Sequence, residues 1–322
     1  YKRQGCGCRG ASAVFLTGRA EIRQIGSASV SVAGRIEVTW TRGCIVAFFL
    51  LALSGAARGD SEQPALRIGY GSTLWTLDPH HATGSLECHL AEARYEGLTY
   101  IDPATLQPTP GAAASWTCSA DDRTWTFRLR EGARWSDGVP VTAQDFVAGL
   151  RRAVDPATAA EMASLLSGIR GATDGDGRDV ALGVVAVDTR TLRIDLEHPV
   201  PWLLHVLACP IAAPLSPSTR ARGDLDDPAS WAAPDAVVNG PYRVKRFNAV
   251  PRMGHRNVVL VRNDTYWNAR AIRQDTISVL HVPDRRVSLR LFARGKLDWT
   301  ATWDAEDTRV LELVRRSGSL RV

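Results

Sequence analysis

The chain of 322 residues is long enough for one large or two ordinary domains, and its 45% hydrophobic and 23% charged residues are ordinary for a globular protein. Its formal charge of +5 is unevenly spread, because residues 1–59 hold eight of the 39 basic and only two of the 34 acidic side chains. The remainder carries a net charge of −1, which argues against a nucleic-acid-binding protein, whose folded surface needs clustered positive charge.

Residues 42–59 have the pattern of a signal peptide. Arg42 precedes an apolar run over residues 44–53, and small residues follow, with cleavage expected after Ala56 or Gly59. The run is shorter than the roughly 20 residues that span a bilayer, and a signal anchor is the alternative. No cysteine follows the small residues, so we expect no lipoprotein attachment site. Residues 1–41 do not begin with Met and are left unassigned, as a leader or a misassigned start.

The next part of the chain predicts short strands joined by turns. Residues 66–70 form the first expected strand. Apolar and polar residues alternate over 125–130, which indicates a half-buried strand, and residues 114–118 are its expected hairpin partner. A turn follows at residues 135–138, where Gly138 allows a positive φ.

A helix and a second hairpin come next. Thr142 is the expected N-cap of the helix, with Asp145 in the first turn and an end at Asp155 before a proline. Residues 184–187 and 191–196 predict an antiparallel pair. The expected buried stripe of the helix consists of Phe146, Val147 and Leu150.

The last third of the chain again alternates strands and helices. A proline-rich connection over residues 210–217 is expected to cross between lobes. A helix is predicted to end at Gly295, and a last one is predicted near residues 305–316. Three strands are predicted, one beginning at residue 242 and the others over 258–261 and 277–282. The helix that ends at Gly295 covers 287–293, and extended chain is predicted over 297–300. The pattern predicts a mixed α/β fold in more than one lobe.

Three cysteines lie outside the leader, at Cys88, Cys118 and Cys209. In an oxidising compartment they allow one disulfide with one free thiol, or three buried thiols, and their spacing does not decide between these states.

The sequence shows few signs of catalysis or metal binding. The sequence contains no G-x-S-x-G, H-E-x-x-H or P-loop motif, so we expect neither an enzyme nor a cofactor. His80 and His81, with Glu87, Cys88 and His89, could be drawn together around a metal. Adjacent histidines on an extended segment point to opposite sides, so we expect no metal site there.

Motifs in a fixed order over residues 66–322 give the clearest functional signal. They are Thr76–His81, Tyr95–Leu98, Pro108–Gly111, Ala114–Trp116, Trp125–Arg130, Trp135–Ala143, Asp145–Phe146, Arg152, Asp155–Ala159, Asn239–Tyr242, Tyr266–Trp267 and Gly295–Asp298. In this order they closely resemble the family 5 extracellular solute-binding proteins of ABC transporters, in particular the periplasmic oligopeptide-binding branch.

The resemblance implies a multi-lobed periplasmic-binding-protein type II fold. Residues 60–84 and 207–322 would form a discontinuous first lobe, and residues 85–206 an inserted second lobe. Family members continue for some two hundred residues with a third lobe that closes over the ligand, so the C-terminal lobe is expected to be missing here. The resemblance therefore predicts that this 322-residue polypeptide binds peptides weakly or not at all, and submicromolar binding would contradict that expectation.

The resemblance also implies a ligand-binding set. Two segments match the ligand-lining segments of the family, and their residues are Thr73, Leu74 and Trp75, and Thr300, Ala301, Thr302 and Trp303. Oligopeptide binders often have Glu where Thr73 stands and an aromatic residue where Ala148 stands, and this smaller, less charged contact set indicates either an altered choice of ligand or sequence drift. From the residues alone, Trp75, Trp299 and Trp303 are expected just after strand ends, where α/β folds place ligands.

The function implied is capture of peptides in a closing cleft and delivery to the permease subunits of an ABC importer in the inner membrane. The protein is expected to be a periplasmic monomer without a nucleic-acid partner. A binding protein for another small solute, and a receptor or chaperone-like use of the same fold, are the alternatives. A secreted hydrolase is a weaker one, because it would need a nucleophile and a base that this sequence does not show.

Overall fold

The computed structural model describes residues 65–172, 181–250 and 255–300, which alternate between short strands and short helices. The strands are β1 (Leu66–Tyr70), β2 (Thr99–Ile101), β3 (Pro108–Pro110), β4 (Ala113–Cys118), β5 (Thr124–Leu129), β6 (Val184–Ala186), β7 (Thr191–Asp195), β8 (Tyr242–Val250), β9 (His255–Arg262), β10 (Thr276–His281) and β11 (Trp299–Thr300). The α-helices are α1 (Ser85–Arg94), α2 (Ala143–Val154), α3 (Leu203–Val206), α4 (Pro217–Arg222), α5 (Pro228–Ala232) and α6 (Arg285–Ala293). None of the helices in these ranges combines the length and apolar character that a membrane span needs.

A mixed five-stranded sheet joins the two ends of the described chain, in the order β11-β1-β10-β9-β8. Strand β1 pairs in parallel with β10 and with β11, whereas β8, β9 and β10 form an antiparallel meander. The strands predicted at residues 66–70, 258–261 and 277–282 are confirmed. Central strand β1 lies between β10 and β11. Its residues Leu66, Ile68 and Tyr70 are buried on one face, with Ile68 only 2% exposed, whereas Arg67 on the other face is partly exposed.

A four-stranded antiparallel sheet has the order β4-β5-β7-β6. Both predicted hairpins are confirmed in it. Phe127 and Leu129 are buried on one face of β5 and Arg128 between them is exposed, as the alternating pattern predicts. Strands β2 and β3 form a separate antiparallel pair.

Helix α2 covers the four-stranded sheet, with its predicted stripe of Phe146, Val147 and Leu150 buried. Thr142 is its N-cap residue, and the Asp145 carboxylate accepts a hydrogen bond of 2.9 Å from the Thr142 backbone N–H. The same oxygen accepts a hydrogen bond of 3.0 Å from the indole N–H of fully buried Trp135. Asp145 thus joins the helix start to the core, which stabilises a carboxylate that is only 1% exposed.

One continuous apolar core connects the two sheets, because Ile68 and Val258 of the first sheet belong to the same buried cluster as Phe127 and Phe146. The strands of the first sheet come from residues 66–70 and 242–300, and those of the second from residues 113–195. The lobe boundaries near residues 84 and 206 stay a prediction.

Three further expectations concern single features. Helix α6 begins two residues before the predicted 287–293 and is followed by Gly295 at φ +65°, the left-handed geometry that glycine favours. Cys88, Cys118 and Cys209 take part in no disulfide, which favours thiols, but the expectation that all three are buried is wrong, because Cys118 is exposed. The helix predicted near 305–316, like the signal peptide over 42–59, lies outside the described residues.

Candidate functional site

The carboxyl ends of three neighbouring parallel strands meet at one edge of the five-stranded sheet. Tyr70 at the end of β1 is paired with His281 at the end of β10, and Gly69 is paired with Thr300 of β11. The segments that follow these strands therefore leave the sheet side by side. Ligands of open α/β sheets bind at this position, because the loops that follow parallel strands converge there.

The first predicted ligand segment lies in the loop that follows β1. Leu74 is 2% exposed and belongs to the apolar core, whereas the neighbouring Trp75 is 72% exposed. The Trp75 backbone N–H donates to the Glu87 carboxylate of α1 at 2.9 Å, which ties the loop to a helix. Thr73 is partly exposed. The loop is thus anchored through Leu74 and Glu87 while the Trp75 indole faces outward.

The second predicted segment begins at the end of β11. Thr300 is 1% exposed, and its hydroxyl forms a short hydrogen bond with the Ser288 hydroxyl of α6. Its side chain therefore packs on a helix, and any contact with a ligand would come from its backbone. Ala301, Thr302 and Trp303 lie outside the described residues. The structure brings the start of this segment next to the strand that leads to Trp75, although the two lie far apart in sequence.

The expectation that Trp299 follows a strand end is wrong. Trp299 lies within β11 and is 7% exposed, because its ring packs on Tyr70 with a centroid separation of 5.2 Å. The Tyr70 hydroxyl also forms a hydrogen bond of 2.8 Å with His89 Nδ1. Extended chain was expected over 297–300, but a strand in which only two residues pair is too short for an alternating pattern to show where it begins and ends.

A groove of about 430 Å³ opens beside the loop that follows β1. It was not predicted from the sequence. Its walls are formed by that loop, by α5 with the residues after it, and by β8, and the lining residues are Leu74, Trp75, Thr76, Pro228, Ala229, Ala232, Ala233, Pro234, Lys245, Arg246 and Phe247. Two of the predicted ligand residues, Leu74 and Trp75, thus share a groove with two cationic side chains.

A buried ionic network holds the segment behind this loop. Arg152 of α2 donates to both oxygens of the Asp78 carboxylate, at 2.9 and 2.6 Å. The same guanidinium donates to Leu225 O at 3.1 Å and lies over the Trp231 ring. Burial opposes the charge on Asp78, but hydrogen bonds from His81 and Arg152 outweigh it and lower the pKa of that carboxyl to about 2. The network ties the Leu-Asp-Pro-His-His motif to helix α2.

The two adjacent histidines belong to this network. The extended conformation expected of them is wrong, since Pro79–His81 is a turn of 3-10 helix capped by Asp78. His80 Nδ1 accepts from Arg152 at 2.8 Å, and Nε2–H donates to Ala213 O at 3.1 Å, so the ring is the neutral Nε2–H tautomer. Burial lowers the pKa of His80 to about 4. The His81 ring contacts Asp78 at 3.0 Å, and that carboxylate raises the pKa of His81.

A second polar cluster explains why two of the ordered motifs occur together. The Glu96 carboxylate accepts from the Tyr266 hydroxyl at 2.6 Å and from the Trp267 indole N–H at 2.8 Å. Arg130 lies over the Trp267 ring at 3.9 Å from its centroid. Loss of hydration raises the pKa of Glu96 to about 7, although these two hydrogen bonds act in the opposite direction. The cluster supports the scaffold and does not line the groove.

Comparisons with known proteins give a consistent result. The family model described as bacterial extracellular solute-binding proteins, family 5 Middle, matches residues 107–315. The chain is 34% identical over 247 residues to the periplasmic oligopeptide-binding protein OppA of Escherichia coli, which covers 74% of this chain and 43% of that protein.

Two solved structures are similar in fold. The murein tripeptide binding protein MppA of Escherichia coli has a TM-score of 0.69 at 30% identity and covers 79% of this chain and 48% of that one. Haemophilus influenzae OppA in complex with RPPGFSPFR has a TM-score of 0.70 at 30% identity, and the match covers 80% of this chain and 49% of that protein. The chain thus spans less than half the length of these three relatives.

Proposed function

Since the chain belongs to family 5 of the bacterial extracellular solute-binding proteins and has the type II periplasmic-binding fold, we propose that it captures peptides for an ABC importer. The observation that carries this proposal is the convergence of the loop after β1 with the end of β11 at the carboxyl edge of the parallel strands. Three of the similar proteins are named for peptides: an oligopeptide-binding protein, a murein tripeptide binding protein and a complex with the nine-residue peptide RPPGFSPFR. Another, at 30% identity, is named as a probable deoxycholate-binding protein, so a different small solute is the alternative.

The binding mode follows from the chemistry of this edge. An extended peptide can pair its backbone with an exposed strand or loop, while its side chains enter hydrated pockets that do not select one sequence. Trp75 supplies a large exposed aromatic surface for such side chains. Thr73, Leu74, Trp75 and Thr300–Trp303 form the proposed contact set. The role requires binding and release only, without a catalytic group.

The cellular context is part of the same proposal. We place the protein in the periplasm, as the name of the Escherichia coli relative states for that protein. It would act as a monomer and deliver its peptide to permease subunits in the inner membrane. Genes for a permease and an ATPase beside its own gene would support transport, whereas their absence together with a signalling gene would favour a receptor.

Calorimetric titration with a mixed library of short peptides tests peptide binding directly. We expect saturable binding that Trp75→Ala weakens by about 5- to 30-fold, because an exposed aromatic contact contributes on the order of 1–2 kcal/mol. Trp202→Ala is the matched control, because Trp202 is also largely exposed, at 58%, and does not line the groove. Because weak binding is expected of this polypeptide, the titration extends to millimolar peptide, and absence of a saturable response to every peptide at that concentration would contradict the proposed function.

A further inference from the structure

The groove beside Trp75 has apolar walls and a cationic end. Leu74, Pro228 and Phe247 are among the apolar residues that line it, and Lys245 and Arg246 of β8 line its other side. Both cationic side chains are exposed, and neither forms an ion pair or a side-chain hydrogen bond with any residue in the described ranges. The groove therefore offers positive charge that the described part of the fold does not neutralise.

A β-bulge directs both cations to the groove. In a regular strand, Lys245, Arg246 and Phe247 would point alternately to opposite faces, yet all three line the groove. The pairing of β8 with β9 shifts between Val244 and Arg246, so Lys245 is the extra residue of a bulge. Bulges re-aim side chains in this way and occur often beside binding sites.

The acidic side chains near the groove are engaged elsewhere. Asp227 caps α5 by accepting from the Ala229 N–H at 2.9 Å. Asp235 pairs with Arg222 at 3.1 Å. No Asp or Glu is among the described residues that line the groove, and Glu87, which lies behind the Trp75 loop, is buried and accepts a hydrogen bond from the Trp75 backbone N–H. A ligand carboxylate could therefore pair with Lys245 and Arg246 without an acidic side chain of the groove lining in its place.

We infer that the peptides this groove favours carry a carboxylate next to an apolar residue. This inference rests on the proposed function, because it specifies the substrate class of the same site. The apolar residue would pack between Leu74, Trp75 and Phe247, and the carboxylate would accept hydrogen bonds from Lys245 and Arg246. The carboxylate can come from a Glu or Asp side chain or from the C-terminus of the peptide.

Four matched pentapeptides separate these possibilities. The probes are Ala-Leu-Glu-Leu-Ala, its Gln counterpart and its Lys counterpart, all with amidated C-termini, and the Gln peptide with a free C-terminus. Affinities are measured by calorimetry at about 20 mM and about 500 mM salt. At low salt we expect a carboxylate to tighten binding by about 5- to 10-fold over the Gln amide, because two exposed ion pairs each contribute a few tenths to 1 kcal/mol. High salt should remove most of that difference.

The source of the carboxylate follows from the pattern of affinities. Tighter binding of the Glu amide alone identifies a side-chain carboxylate, and tighter binding of the free-acid Gln peptide identifies the C-terminus. Either result supports the inference, and the Lys peptide should bind most weakly. Equal affinity for all four peptides would overturn the inference but leave peptide binding intact, and the bulge would then serve only to protect an edge strand. If none of the four peptides binds, the result contradicts the proposed function itself.

Variants of β8 test whether these two cations cause the preference. Lys245→Gln combined with Arg246→Gln should abolish the preference for the carboxylate, so that the amidated Glu and Gln peptides bind the double variant with equal affinity. Arg243→Gln is the matched control, since Arg243 is an exposed cation of the same strand that does not line the groove. Circular dichroism verifies that both proteins fold alike. Persistence of the preference in the double variant would refute the inference.

Discussion

Asp78, His80 and Arg152 show how single residues hold the segment behind the candidate site. Arg152 lies in α2 and reaches Asp78 in the turn that follows the Trp75 loop, and both side chains are at most 8% exposed. A buried ion pair stabilises little by itself, but removing one partner leaves the other charge buried and unpaired. The proline-containing turn, capped by Asp78, is a local signal that the sequence does contain. The partner in α2 is distant in sequence, and no local pattern points to it.

His80→Gln provides a test of this network through pH. The folded pKa of His80 is about 4 against an ordinary 6.5, so the unfolded chain takes up a proton between these values and the folded chain does not. The stability that His80 contributes relative to Gln is therefore full above pH 6.5 and is lost as the pH falls towards 4, by up to about 3 kcal/mol. Urea unfolding of both proteins between pH 4 and 8 measures this difference.

The control for that measurement is His198→Gln, because His198 is exposed. The difference between this variant and the wild type should stay nearly constant with pH. A similarly flat difference for His80→Gln would show that the ring is not held neutral by burial.

At the scale of elements, α2 illustrates where sequence patterns are informative and where they stop. Its cap, its apolar stripe and its end at Asp155 follow from local spacing, and all three are confirmed. Gly149 within the helix is the exception, because a glycine there lowers helix propensity. Its reason is tertiary: a Cβ at this position would lie 2.1 Å from Ala213 O and 3.0 Å from the Pro214 Cα. The helix therefore packs against the connection after residue 210 by backbone contact.

Gly149→Ala is expected to destabilise the protein by about 1–3 kcal/mol, although the same change in an exposed helix would stabilise it. The neighbouring chain would have to move, since the closest atoms are backbone atoms. Thermal unfolding measures the effect, with Arg151→Ala as an exposed control in the same helix. An increase in stability for Gly149→Ala would show that the 213–214 connection can move freely.

At the scale of the whole molecule, two sheets from different chain segments share one apolar core. Arg152 strengthens this connection, because it joins α2, which covers the four-stranded sheet, to the turn after β1 of the five-stranded sheet. Residues that share a continuous core tend to unfold together. Nothing in the core of the described residues separates the two sheets into independent units.

We therefore expect one cooperative unfolding transition, with coincident midpoints by tryptophan fluorescence and far-ultraviolet circular dichroism. Arg152→Met should lower the midpoints of both probes together, because Asp78 would be left buried without its partner, a loss of about 3–5 kcal/mol. Arg151→Met, an exposed neighbour, should leave both nearly unchanged. Two separated transitions in the wild type would contradict a shared core.

Local patterns account for most elements of the fold. The alternation over residues 125–130, the cap at Thr142 and the glycine after α6 all act over a few residues, and each is confirmed. The ordered motifs likewise predicted the family correctly, because they record local turns and the residues that support them.

Only the tertiary structure decided which of these elements meet. The parallel pairing of β1 with β11 places Thr300 beside the strand that leads to Trp75, and it buries Trp299, which the sequence suggested as a ligand contact. The bulge that directs Lys245 and Arg246 to the groove also depends on the register between β8 and β9. The sequence alone determined local conformation and family, because caps, turns and alternation act between near neighbours. The groove required contacts between distant segments, and those follow from packing.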